Sequence, residues 1–260
     1  MHRKFWGFFT ALGAMAVGAL SLLPANAQMS EVKEKPPMYT YVANWQIPRS
    51  QWGELEKAYA PDQKILDQAM ADGTIVGYGN DEALVHEADG ETHDSFWSAN
   101  SMAGLLKVLD QFYKSGTSTS PVYASATKHW DNVYVSRYYN WHSGAFKDGY
   151  TYVAMYKLKE DAPDHAVSLL SKNLIVPLLE KLLADGTLHE YEIDTQELHT
   201  QAPGVFFIVY VASAPEGIDK VDAAIEASLK ANPLGGPAFS SMVDFSAHRD
   251  ELLLTNGAFK

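Results

Sequence analysis

The chain has 260 residues, 47% of them hydrophobic, no cysteine, and 32 acidic against 20 basic residues for a formal charge of -12. A chain that acidic repels phosphate backbones, which argues against nucleic acid as a partner. Without cysteine there is no thiol nucleophile and no disulfide, so stability must come from a packed core.

Residues 1–27 read as a bacterial secretory signal peptide. His2, Arg3 and Lys4 form a basic start, an apolar run follows over 5–23, Pro24 breaks it, and Ala25-Asn26-Ala27 is a small-x-small cleavage site. The apolar run is close to the shortest that spans a bilayer, which leaves an uncleaved anchor as the alternative. The Ala-Asn-Ala end decides for cleavage after Ala27, giving a periplasmic or secreted chain that begins at Gln28 and has no further membrane segment. Residues 28–37 then form a short linker.

From residue 38 onward the chain repeats itself. Tyr-Thr-Tyr-Val-Ala stands at 39–43 and again at 150–154. Ala71-Asp72-Gly73-Thr74 is matched by Ala184-Asp185-Gly186-Thr187, His86 by His199, and Gly104 by Gly217. Gly144-Ala145-Phe146-Lys147 is matched by Gly257-Ala258-Phe259-Lys260. The order is kept throughout, so the expectation is a tandem duplication, 38–147 followed by 148–260.

Each copy predicts the same elements. A first strand alternates Tyr39, Tyr41, Ala43 and Trp45 with Thr40, Val42 and Asn44. A helix follows on the stripe Ile65, Leu66, Ala69, Met70, and again on Leu178, Leu179, Leu182, Leu183, with Gly73 and Gly186 as left-handed ends. Pro61 and Pro177 suggest that this helix is broken or begins late. Two strands come next, at 75–88 and 91–99, joined by a tight type I′ turn at Asp89-Gly90 that sets His86 opposite His93. In the second copy the turn falls at 202–204 and the strand at 205–212, with His199 facing Phe206. A second helix is expected at 102–114 and on Ile218, Val221, Ile225 and Leu229. Final strands are expected to begin near Pro121 and Pro237.

The order βαββαβ, written twice, is the ferredoxin-like unit, a four-stranded antiparallel sheet with helices on one face. The other face, rich in Tyr, Trp and Phe, would be a bare apolar surface unless the two copies packed these faces together. On that element order and duplication, the chain resembles the dimeric α+β-barrel superfamily with both protomers fused into one polypeptide. The resemblance implies an α+β fold with an intramolecular pseudo-dimeric barrel. It spans cofactor-free monooxygenases, muconolactone-type isomerases, haem-dependent chlorite dismutases, dye-decolourising peroxidases and stress-response proteins, so it does not select a function. The sequence has no Gly-x-x-Asp-Gly haem-peroxidase signature, and no cofactor is expected.

Three places invite chemistry. The first is the stretch 129–142, which holds Trp130 and Trp141, two of the five tryptophans beyond residue 27. There Tyr138, Tyr139 and Trp141 suit a flat ligand, Arg137 an acid group on it, and His142 or His129 a general base; the alternative is a connector packed over a barrel end. The second is the hairpin 86–93, where His86, His93 and Glu91 could approach a divalent metal but fall short of the usual ligand count, so no metal is expected. The third is the barrel interior, where Asn44, Trp45, Trp97 and His93 resemble the residue types with which cofactor-free monooxygenases hold aromatic substrates; a core of aromatic residues is the alternative.

The reading is an exported barrel that binds a small apolar or aromatic molecule, with Trp45, Trp97, His93, Arg137, Tyr138 and Trp141 as ligand contacts. The first alternative is a cofactor-independent monooxygenase or isomerase acting through His142, Tyr139 and Asn44. The second is a structural or stress-response protein with no small ligand.

Overall fold

The computed structural model describes residues 32–260. The signal peptide expected at 1–27 lies outside the described residues, and no helix among these is long and apolar enough to cross a membrane.

The described chain is an α+β protein built on one closed antiparallel barrel. Its elements run β1 (Met38–Gln46), α1 (Leu55–Ala71), β2 (Gly77–Ala83), β3 (His93–Ala99), α2 (Met102–Ser115), α3 (Pro121–Ala124) and β4 (Lys128–Trp141). They continue with β5 (Gly144–Leu158), α4 (Ala166–Leu170), α5 (Val176–Ala184), β6 (Leu188–Gln196), β7 (Val205–Ala212), α6 (Pro215–Ala231), α7 (Gly235–Met242) and β8 (Val243–Phe259). The strands close in the order β1-β3-β2-β8-β5-β7-β6-β4. Closure leaves no free sheet edge for another chain to pair with.

The helices end where the glycines predict. Gly73 and Gly186 each sit at φ +77°, and Gly116, at φ +76°, stops α2. Ser101 starts α2 by accepting the Gly104 amide on its hydroxyl, and Leu105 and Val108 are driven into the core. α1 and α2 cover the outer face of β1–β3 through Leu66, Ala69, Leu105 and Val108, packed on Tyr41, Tyr78 and Trp97. α5 and α6 cover the other side through Leu179, Leu182, Leu183 and Val221 on Tyr191 and Tyr210.

Five expectations need correcting. Pro61 neither breaks nor delays its helix, because α1 runs through it; Pro61 and Lys57 are exposed, so water can serve the carbonyl that proline leaves without a partner. Pro177 does stand at the start of α5, after a single turn of π-helix at Ser171–Ile175. The tight turn at Asp89-Gly90 does not form: β2 ends at Ala83, β3 begins at His93, and His93 pairs with Glu82. A type I′ turn needs positive φ at both central residues, and neither Asp89 nor Gly90 has it. Instead Lys128 Nζ holds Asp89 at 2.6 Å and Gln46 Nε2 donates to the Gly90 carbonyl. His199 does not face Phe206 either, since Phe206 pairs with Thr195.

The prolines at 121 and 237 open or sit in helices, not strands. Ser120 accepts the Tyr123 amide and Pro121 occupies the first turn of α3, where its missing N–H is harmless. The final strands begin later, at Lys128 and Val243.

The fifth correction concerns the faces of the sheet. Tyr39, Tyr41, Trp45 and Trp97 belong to the face covered by the helices. The face that closure turns inward carries the other half of the alternation, with acids on β2, β3 and β6 and apolar side chains on β5 and β7.

Close packing of α2 on the barrel gives a direct test. A Cβ on Gly104 would lie 2.7 Å from the Thr74 carbonyl oxygen and 2.9 Å from Ala99 Cβ, neither of which can swing away. Gly104→Ala gains helix propensity but overpacks this contact, and should lower stability by about 1–2 kcal/mol in denaturant titration.

Candidate functional site

A cavity of about 160 Å³ occupies the barrel lumen, and all eight strands contribute to its wall. The period-two alternation dictates what enters. From β1 come Thr40, Val42 and Asn44, while their neighbours point outward to the helices. β5 and β7 supply an aliphatic and aromatic wall with Thr151, Val153, Val209 and Phe207. Tyr134 from β4 meets the Phe207 ring edge-on at 4.9 Å.

The acid groups set the character of the cavity. Asp81 from β2 and Asp94 from β3 face Glu190, Glu192 and Asp194 from β6. All five are at most 5% exposed. Glu91 and Glu251 line the cavity as well. Among the described residues that line it, there is no lysine, arginine or histidine.

Burial without counter-charge raises every one of the five. Desolvation pushes Asp81 up to about 6 and Glu190 up to about 8, the latter with added repulsion from Asp194 and Asp81. Asp94, Glu192 and Asp194 are held well above the ordinary carboxylate range, first by burial and then by the neighbouring carboxylates. Burial thus favours the protonated forms, and carboxyl–carboxyl contacts join Asp81 with Asp94 and Glu192 with both Glu190 and Asp194.

Three of their oxygens nevertheless have no hydrogen-bond partner: Asp81 Oδ1, Glu190 Oε1 and Asp194 Oδ1. An unsatisfied buried oxygen costs about 1–3 kcal/mol, more when charged. All three belong to residues that line the one cavity.

The two ends of the lumen differ. At one end Phe96 and Val211, which line the cavity, pack with Phe146, Phe259 and Trp141 as an aromatic floor. Elsewhere on the wall the loop 197–204 reaches in, where Gln201 Nε2 donates to Asn132 Oδ1 and Tyr134 Oη and Thr200 donates to Asn132.

The residues singled out from the sequence are scattered. Asn44 lines the lumen, its amide donating to the Trp130 carbonyl at 3.2 Å, and of the other places singled out only Glu91 and Trp130 reach the same wall. Trp45 points outward and stacks between Tyr123 and His129 at 4.8 and 5.0 Å. Trp97 stacks on Tyr41 at 4.4 Å, and its Nε1 donates to the Leu105 carbonyl. His93 is buried beside Trp52, and burial, with help from His86, lowers its pKa to about 4. His86 stacks on Trp52 too, and among the described residues no cluster of three or more His, Cys, Asp or Glu is set for a metal ion.

The 129–142 stretch is a long strand and does not gather one site. Tyr138 hydrogen-bonds with Glu34 and Ser168, and with Arg137 it lines a second cavity of about 450 Å³. Arg137 sits at the β-bulge between Ser136 and Tyr138. Tyr139 donates to the Pro36 carbonyl and stacks on Trp141, whose Nε1 donates to the Lys260 carbonyl. His142 Nε2 donates to the Leu183 carbonyl. Neither Tyr139 nor His142 is among the lumen residues. The other member of that stretch named as a base, His129, bonds the Asn44 carbonyl through Nδ1.

The sequence matches no protein-family model and no curated protein. Solved structures do resemble the fold. A protein from Lactobacillus acidophilus described as a candidate monooxygenase is 12% identical, with a TM-score of 0.60 over 86% of this chain and 97% of its own. One so described from Fusobacterium nucleatum subsp. nucleatum is 8% identical, with a TM-score of 0.63 over 87% of this chain and 95% of its own. An anthrone oxidase-like protein is 13% identical, with a TM-score of 0.54 over 87% and 95%. At such identities the likeness speaks for the fold alone, and this chain shares the α+β-barrel architecture with these proteins.

Proposed function

We propose that the protein is an exported small-molecule-binding barrel whose ligand, with an apolar or aromatic body and hydrogen-bond donors at its edge, sits in the lumen. The observation that carries this reading is the lumen cavity, with Asp81, Glu190 and Asp194 in its wall each keeping a buried oxygen without a hydrogen-bond partner. Phe96, Tyr134 and Phe207 suit the body of such a ligand, and the acids select against carboxylates on it. The reading includes an N-terminal signal peptide and a barrel made from two fused repeats, 38–147 and 148–260, that stand as the two protomers of a dimer would. Equivalent contacts support the repeat. Tyr41 stacks on Trp97 as Tyr152 does on Tyr210, and His129 stacks on Trp45 as His248 does on Tyr156. Where the copies of Gly-Ala-Phe meet, Gly144 pairs with Phe259, Ala145 with Ala258 and Phe146 with Gly257.

A second reading, cofactor-independent monooxygenase or isomerase chemistry, is favoured by Glu190. A carboxyl that titrates at about 8 exchanges protons with a bound carbon acid or phenol at neutral pH. That reading keeps Asn44 and moves the acid–base role from His142 and Tyr139 to Glu190.

Filling the lumen tests the site itself. Binding of phenol, catechol and indole is followed by Trp fluorescence, with Trp130 in the cavity wall as reporter. Val153→Phe should weaken binding at least tenfold while the melting temperature stays within a few degrees. Equal binding by wild type and variant would place the ligand elsewhere.

A further inference from the structure

We infer that the lumen takes a small organic dication of the diamine class, with one ammonium against Asp81 and Asp94 and the other against Glu190, Glu192 and Asp194. The inference rests on the lumen reading and specifies its ligand.

The placement of the acids leads there. In the closed order of strands, β2 and β6 are separated by three strands either way round, so Asp81 and Asp194 stand on opposite walls. Each wall carries its own group, and each has at least one oxygen without a hydrogen-bond partner: Asp81 Oδ1 on one, Glu190 Oε1 and Asp194 Oδ1 on the other. These side chains are 5%, 2% and 5% exposed, and all three line the lumen. An ammonium brings three donors and a positive charge to such oxygens.

Between the two groups, β5 and β7 give the wall a largely apolar stretch. Val153 and Val209 suit methylene groups, and Phe96 and Phe207 offer ring faces that attract an alkylammonium. A single metal ion is the poorer occupant, since among the described residues no three such ligands converge. Size adds a limit, because a cavity of about 150 Å³ holds a benzene-sized molecule, which corresponds to a chain of about four to six carbons. Glu91 and Glu251, which also line the cavity, make its approach attractive to cations.

The test is calorimetric titration of the full mature chain at pH 8 with 1,4-diaminobutane and 1,5-diaminopentane. Butylamine serves as the one-charge control and 1,4-butanediol as the neutral one. At least one diamine should bind tenfold or more tighter than butylamine, and the diol a hundredfold weaker or not at all. Asp81→Asn and Asp194→Asn, which keep the size of each side chain and cannot ionise, should fold and are each expected to weaken the diamine at least tenfold. They should bring it down to the affinity of butylamine. Equal affinity of diamine and diol, or of diamine and butylamine, would overturn the inference. So would diamine binding that both Asn variants leave intact. If no amine binds while indole or phenol still binds and is blocked by Val153→Phe, the dication inference fails and the lumen reading stands. If neither class binds, both fail.

Discussion

Raising the pH from 6.5 to 8 is expected to destabilise the protein, by about 2 kcal/mol from Glu190 alone. In the unfolded chain Glu190 loses its proton near its ordinary value of 4.5, while in the folded barrel burial holds the proton until about 8. Between those values the folded state binds more protons than the unfolded state. Stability therefore falls as pH rises through the window, at about 1.4 kcal/mol per pH unit for each such group, and levels off above it. Asp81 acts in the same direction between 3.8 and about 6, and Asp94, Glu192 and Asp194 add to it. His93 works the other way: with its folded value lowered from 6.5 to about 4, its contribution is lost as pH falls below 6.5. The range from 6.5 upward is therefore where the acids act with the least opposition.

The effect is measured by denaturant or thermal unfolding at fixed ionic strength. The melting temperature should drop by about 4–8 °C over this interval, using about 2–4 °C per kcal/mol for a chain of this size. Glu190→Gln should reduce the slope and melt higher than wild type at pH 8. A wild-type profile that is flat or rises from 6.5 to 8 would mean the lumen acids are ionised and solvated at little expense. The same series links stability to the proposed ligand, since 1,4-diaminobutane should flatten the wild-type profile by binding the ionised set.

The acid lumen was legible only in part. Glu190, Glu192 and Asp194 alternate with Tyr191, Ile193 and Thr195 in a clear strand pattern. Read alone, that pattern is an ordinary half-buried strand with its acids in water. Only closure turns the polar face inward, and closure depends on β2 pairing with β8 and β4 with β6, contacts between residues far apart in the sequence. The same alternation could have corrected the interior list. Asn44 and Trp45 are consecutive in a strand and cannot both face the lumen. Conversely, the positions set by local chemistry were readable, such as the left-handed glycines at 73 and 186 and the strand Val205–Ala212. The turn at Asp89-Gly90 failed because its residue pair permits a tight hairpin without requiring one. There the loop is held by Lys128 and Gln46, which come from elsewhere in the sequence.

Truncating Phe259 should be the most damaging single change at the floor of the barrel, and its partner glycine explains why. Phe259 is 2% exposed and pairs across the sheet with Gly77. Its ring lies where a side chain on Gly77 would be, since a Cβ there would come within 2.3 Å of the ring. The ring also stacks with Trp141 at 5.3 Å and runs parallel to Phe146 at 6.2 Å. Phe259→Ala removes these contacts and should cost about 3–5 kcal/mol. Gly77→Val alone is also expected to destabilise, because the ring has no free space to move into. In the Phe259→Ala background the sign should reverse: the valine fills space the ring has left and suits a strand better than glycine. The double variant should then be more stable than Phe259→Ala, with a coupling of about 1–3 kcal/mol in a double-mutant cycle. Additive losses would show that the glycine is not kept for the ring. Because Phe96 and Val211 belong both to this floor and to the cavity wall, the single Phe259→Ala change should also loosen ligand binding, and Gly77→Val should restore part of it.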